Sequence, residues 1–101
     1  MTAEKKKFDL DVVYKGHQLR RLGDMLYYGN AGEKYCVFMQ ILEKRPLAHL
    51  EVASKVSVQL LRTDPDLRPR ERMVKQSEKP SLYAAVDIAA VWLDRALARK
   101  N

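Results

Sequence analysis

Cys36, His17 and His49 are the residues of this chain whose types most readily do chemistry. A cysteine nucleophile needs a base beside it and an accessible, electropositive setting. Neither histidine stands at a spacing that ties it to Cys36. The thiol lies in the apolar run Tyr35-Cys36-Val37-Phe38 and reads as a buried structural residue. His17, among Lys15, Arg20 and Arg21, reads as a surface residue, and His49 as a partly buried one with a hydrogen-bond partner. Two isolated histidines with no H-x-x-x-H, E-x-x-H or C-x-x-C spacing make no metal site. Tyr28-Gly29-Asn30-Ala31-Gly32 lacks the preceding strand, the length and the lysine of a phosphate-binding loop. No carboxylate pair stands out from the surface charge, so no catalytic residue, metal or cofactor is expected.

The richest binding chemistry is basic. Residues 63–80 contain Arg68, Arg70, Arg72, Lys75 and Lys79, partly offset by Asp64, Asp66, Glu71 and Glu78, with prolines at 65, 69 and 80. A loop of this length in a small domain is usually functional or mobile. In an extended segment Arg68, Arg70 and Arg72 would point the same way and meet one acidic surface. Tyr27, Tyr28 and Tyr35 lie near Lys34 and could stack on bases. At their spacing they read as core and boundary residues.

The chain of 101 residues is expected to form one domain, 1–101, and an apolar fraction of 47 % is enough for a single core. A net charge of +6 favours acidic partners, or simply solubility, but the cations are spread along the chain rather than gathered in a stripe. The single cysteine excludes an intramolecular disulfide and fits a reducing compartment. Lys5-Lys6-Lys7 is followed by Phe8-Asp9-Leu10-Asp11 rather than an apolar run, and no stretch is long enough to span a membrane. A cytoplasmic protein is expected.

The elements that must position these residues are read from periodicity. Leu82, Val86, Ala89, Leu93, Ala96 and Leu97 recur every three or four residues, with six alanines between 81 and 99. This predicts a helix with Leu93 in mid-stripe. Phe8, Val12, Leu19, Leu22 and Leu26 share one helical face; Gly16 and Gly23, seven apart, would let a second helix approach closely. The alternation of Phe8, Leu10, Val12 and Tyr14 is also a strand pattern, as is that of Val52, Val56, Val58 and Leu60. Gly29 suits a helix C-cap, and Asn30 with Glu33 resembles a capping box for a helix ending at Lys44-Arg45. Pro46 suits the first turn of a third helix.

Two stretches carry a family resemblance. Leu82-Tyr83-Ala84-Ala85-Val86-Asp87 with Leu93-Asp94-Arg95-Ala96-Leu97 resembles the closing helix of ribosome hibernation-promoting factors, and Gly16-His17-Gln18-Leu19 resembles the end of their first strand. The resemblance implies a β-α-β-β-β-α fold and contact with ribosomal RNA through basic residues. Counted over 12–19, with the alternating Val12-Val13-Tyr14-Lys15 before Gly16, and 82–97, it covers about a quarter of the chain.

The expected fold is all-α: an irregular four-helix bundle with helices near 9–28, 31–45, 47–62 and 81–99, a frayed basic start at 1–7 and a basic loop at 63–80. The expected function is binding without catalysis, to a protein partner or to a second copy. Association with RNA or the ribosome is the alternative.

Overall fold

The computed structural model describes residues 8–98; the basic start at 1–7 and anything beyond Ala98 lie outside the described residues. Leu10–Tyr14 (β1) turns back on His17–Leu22 (β2) through Lys15-Gly16. Both turn residues have positive φ, 49° and 86°, which is the two-residue hairpin geometry that glycine favours. Gly23-Asp24 makes the next turn, with Gly23 at φ 62°, into Met25–Tyr28 (β3). Two long strands follow, Tyr35–Leu47 (β4) and Leu50–Arg62 (β5), then the short helix Pro69–Arg72 (α1), Met73–Lys79 (β6) and Leu82–Ala98 (α2). Each strand pairs antiparallel with the next in sequence, giving one six-stranded sheet in the order β1-β2-β3-β4-β5-β6.

The four-helix bundle is therefore not the fold. Three of its four helices, near 9–28, 31–45 and 47–62, are strands, and Gly16 and Gly23 turn hairpins rather than seat a neighbouring helix. The β-α-β-β-β-α order is not found either, because residues 17–28 form a hairpin where that order requires a helix. Pro46 lies near the end of β4 rather than at a helix start. A proline is tolerated there because β4 has outrun β3, leaving that side of the strand without a ladder partner. The helix expected at 81–99 is present as α2, and Ser81 caps it by accepting the Ala84 amide at 3.1 Å.

Directly opposed residues of an antiparallel pair share a face. Leu19, Tyr28, Val37 and Leu60 therefore lie in one row, and Leu26, Met39 and Val58 in the next. All seven are buried, and α2 lies across them against β4, β5 and β6. Ala85, Ala89, Ala90 and Ala96 are buried with Leu93. The alanines do more than favour helix: their small side chains bring the α2 backbone close to the sheet.

Candidate functional site

The five basic residues singled out from sequence are not one extended row. Pro69–Arg72 is helical, with Arg68 as its N-cap, so Arg68, Arg70 and Arg72 do not project together. Arg72 is a structural tie: it donates to the carbonyls of Leu67 (3.2 Å) and Pro65 (3.2 Å). Lys75 and Lys79 lie in β6, a strand the sequence reading missed.

His17 is not a surface residue. It is buried at the start of β2, beneath α2. Its Nδ1 is 3.3 Å from Glu33 Oε1 and its Nε2 3.0 Å from Asp94 Oδ1. A carboxylate only accepts, so both bonds form together only when the ring carries both protons. The bridge ties the β1–β2 turn, the β3–β4 connection and α2. It also leaves neither ring nitrogen free for a substrate. Among the described residues no group of three His, Cys, Asp or Glu is arranged to hold a metal ion. Glu33 does complete half of the capping box read from sequence, accepting the Asn30 amide at 2.8 Å, but a strand follows it rather than a helix. His49, expected in a helix, sits exposed in the β4–β5 turn.

Tyr28 packs edge-on against His17, with ring centroids 5.5 Å apart, and donates its hydroxyl to the Tyr14 carbonyl at 2.8 Å. Burial, with the nearby charge of Asp94 second, pushes its phenol up to about 12. In a phenolate absorbance titration Tyr28 should ionise late, and Tyr28→Phe should remove that late step. A phenol raised in the folded state also means that stability declines as pH rises from about 10 toward 12, because the unfolded chain loses this proton first.

Among the described residues no helix is packed across the second face of the sheet. The register places Leu22 opposite Met25, Tyr27 opposite Phe38, and Cys36 opposite Leu61 and Met73 in adjacent rows. Tyr27 is 43 % exposed, Met73 38 %, and the Tyr27 and Phe38 rings lie 5.3 Å apart. Charged pairs flank this strip at both ends: Arg20 with Asp11, and Lys55 with Glu43 and Glu78. Cys36 is part of the strip, and burial pushes its thiol up. It lies on the opposite side of the sheet from His17, so the two form no nucleophile–base pair.

Beyond Leu42, where the register shifts, β4 and β5 continue as a two-stranded arm past both neighbours. Leu47 and Leu50 stand exposed at its tip. At the other end of β5, two adjoining clefts share Tyr35 and Arg62. Lys34, Thr63 and Leu67 line one of them, and Lys75, Trp92 and Arg95 the other. Of these, the sequence raised only Lys75 as a basic binding residue and Tyr35, near Lys34, as a ring that could stack on bases; the others come together only across β4, β5, β6 and α2. No helix among the described residues is long and apolar enough to cross a membrane. The chain matches no family model, no curated protein and no solved structure.

Proposed function

We propose that the protein is a non-catalytic interaction domain of the cytoplasm, and that the helix-free face of its sheet binds a second copy of the chain. The observation that carries this reading is the diagonal run of Leu22, Met25, Tyr27, Phe38, Cys36, Leu61 and Met73, bordered by Gln40, Gln59 and Gln76, on a face that no helix covers among the described residues. An antiparallel sheet with one solvated face normally turns polar side chains to water. A contiguous apolar strip with a polar rim marks a contact surface instead. The rim carries both signs at both ends, which suits an isologous two-fold contact, in which the same patch meets itself. The single cysteine, held as a neutral thiol, fits a reducing cytoplasm.

Phe38→Glu tests the reading. It places a carboxylate in the middle of the strip without touching the core under α2. Sedimentation velocity at micromolar concentration should find wild type as a dimer and the variant as a monomer with an unchanged circular dichroism spectrum. A monomeric wild type, or a variant that still dimerises, rejects the proposal.

A further inference from the structure

Four cations gather at the end of β5 from four places in the chain. Lys34 precedes β4, Arg62 ends β5, Lys75 is in β6 and Arg95 is in the last turns of α2. Tyr35 faces Arg62 across the β4–β5 ladder, Lys75 faces Leu60 across β5–β6, and Trp92 and Arg95, three apart, share a helix face. Among the described residues none of the four cations pairs with a carboxylate, whereas the ion pairs present elsewhere engage Arg20, Lys44 and Lys55. The one acidic residue in the clefts, Asp64, already accepts the Asp66 amide at 2.9 Å. Unpaired like charges brought together repel each other, so this arrangement costs stability until an anion joins them.

The shape says which anion. The smaller cleft, about 170 Å³, is where Arg62, Lys75 and Arg95 meet. Guanidinium groups bind phosphate oxygens in paired hydrogen bonds, and an ammonium adds a point charge. The larger cleft, about 420 Å³, opens from it past Arg62 and offers the Tyr35 ring, Leu67 and the Thr63 hydroxyl. Thr63 is fixed by two bonds, its amide to the Lys34 carbonyl at 3.0 Å and its hydroxyl donating to the Glu33 carbonyl at 2.8 Å. An aromatic face beside a cationic cleft suits a planar base on a phosphate. We infer that these joined clefts bind a nucleoside phosphate, with the phosphate among Arg62, Lys75 and Arg95 and the base against Tyr35. The nucleotide is either free or one unit of a single strand. The site is separate from the helix-free face and does not depend on dimerisation.

Trp92 is the only tryptophan in the chain, and the Lys75 ammonium lies 5.6 Å from its ring centroid. A phosphate that draws Lys75 off the ring changes the indole environment, so Trp92 emission reads this site alone. The full-length protein is titrated with inorganic phosphate, uridine, uridine monophosphate and a short single-stranded oligouridylate. The monophosphate should give a saturable change, with phosphate and uridine each binding at least about tenfold more weakly, since each supplies half of the contacts. Arg62→Gln with Lys75→Gln should weaken the monophosphate by about tenfold or more. Arg62 also donates to the Glu71 carbonyl at 3.0 Å, so Lys75→Gln with Arg95→Gln carries the same expectation without disturbing that bond. Phe38→Glu should leave the titration unchanged. An oligonucleotide that binds more tightly than the monophosphate, and loses that advantage in salt, identifies a strand as the ligand; equal affinity identifies the free nucleotide. No saturable change with either, or full affinity in both double variants, overturns the inference.

Discussion

Leu93→Ala is expected to lower the free energy of unfolding by about 2–5 kcal/mol, the usual result of opening a cavity at a fully buried leucine. Leu93 is 0 % exposed and sits in the middle of α2, between the alanines that seat the helix on β4 and β5. The neighbours cannot collapse into the space easily, because small residues surround the leucine on its own helix. A domain of this size has only about 5–15 kcal/mol in hand, so the variant should unfold at a much lower urea concentration with the same slope. Val91, exposed on the outer side of α2, is the control: Val91→Ala should cost well under about 1 kcal/mol. A Leu93→Ala midpoint equal to wild type would mean that α2 does not lie on the sheet by this face.

His17→Ala is expected to cost about 2–4 kcal/mol, from loss of a buried ring and of hydrogen bonds to charged partners. The ring fills the space beside Tyr28 and bridges Glu33 and Asp94. The two partners contribute unequally. The Asp94 side chain is 61 % exposed and well solvated, so Asp94→Asn should cost less than about 1 kcal/mol. Glu33 is 23 % exposed and also accepts the Asn30 amide, so its removal frees the β3–β4 connection as well. Denaturant unfolding of His17→Ala, Asp94→Asn and the double variant measures the coupling. If His17→Ala cost no more than Asp94→Asn, the histidine would be a surface residue after all.

The last helix and most of its inward residues, Ala89, Leu93 and Ala96 among them but not Ala85, were readable from local pattern alone. So was the break at Gly29–Gly32, which separates β3 from β4 as it would have separated two helices. The two hairpin turns were also visible in principle. Lys15-Gly16 and Gly23-Asp24 each stand as two residues between apolar runs, which is the spacing of tight hairpins. Spaced seven apart, the same glycines fit a helical register equally well, and the helical reading accounted for more of the leucines.

The basic residues show the same division. Arg68, Arg70 and Arg72 attract notice because they are close in sequence, yet one caps α1 and another ties its own loop. Lys34, Arg62 and Arg95 are far apart in the chain and meet only when β4 pairs with β5 and α2 crosses them. No local signal marks such a group.

What the chain determined by itself is therefore α2, with its core face, and the positions of the main turns. The identity of the elements from 10 to 62 was left to tertiary structure, for a physical reason. A strand shows itself by alternation only when one face is polar. Here β5 keeps the alternation of Val56, Val58 and Leu60 already noted as a strand pattern, but β3 and β4 turn Leu26, Val37 and Met39 toward α2 and Tyr27, Cys36 and Phe38 to the other side. Apolar residues on both faces erase the period of two and leave runs that fit a buried helix as well. Helical hydrogen bonds are local, whereas those of β4 and β5 join residues as far apart as Tyr35 and Arg62, so only the assembled sheet decides between them. The open apolar face that hid the strands is the surface proposed to bind a second copy of the chain.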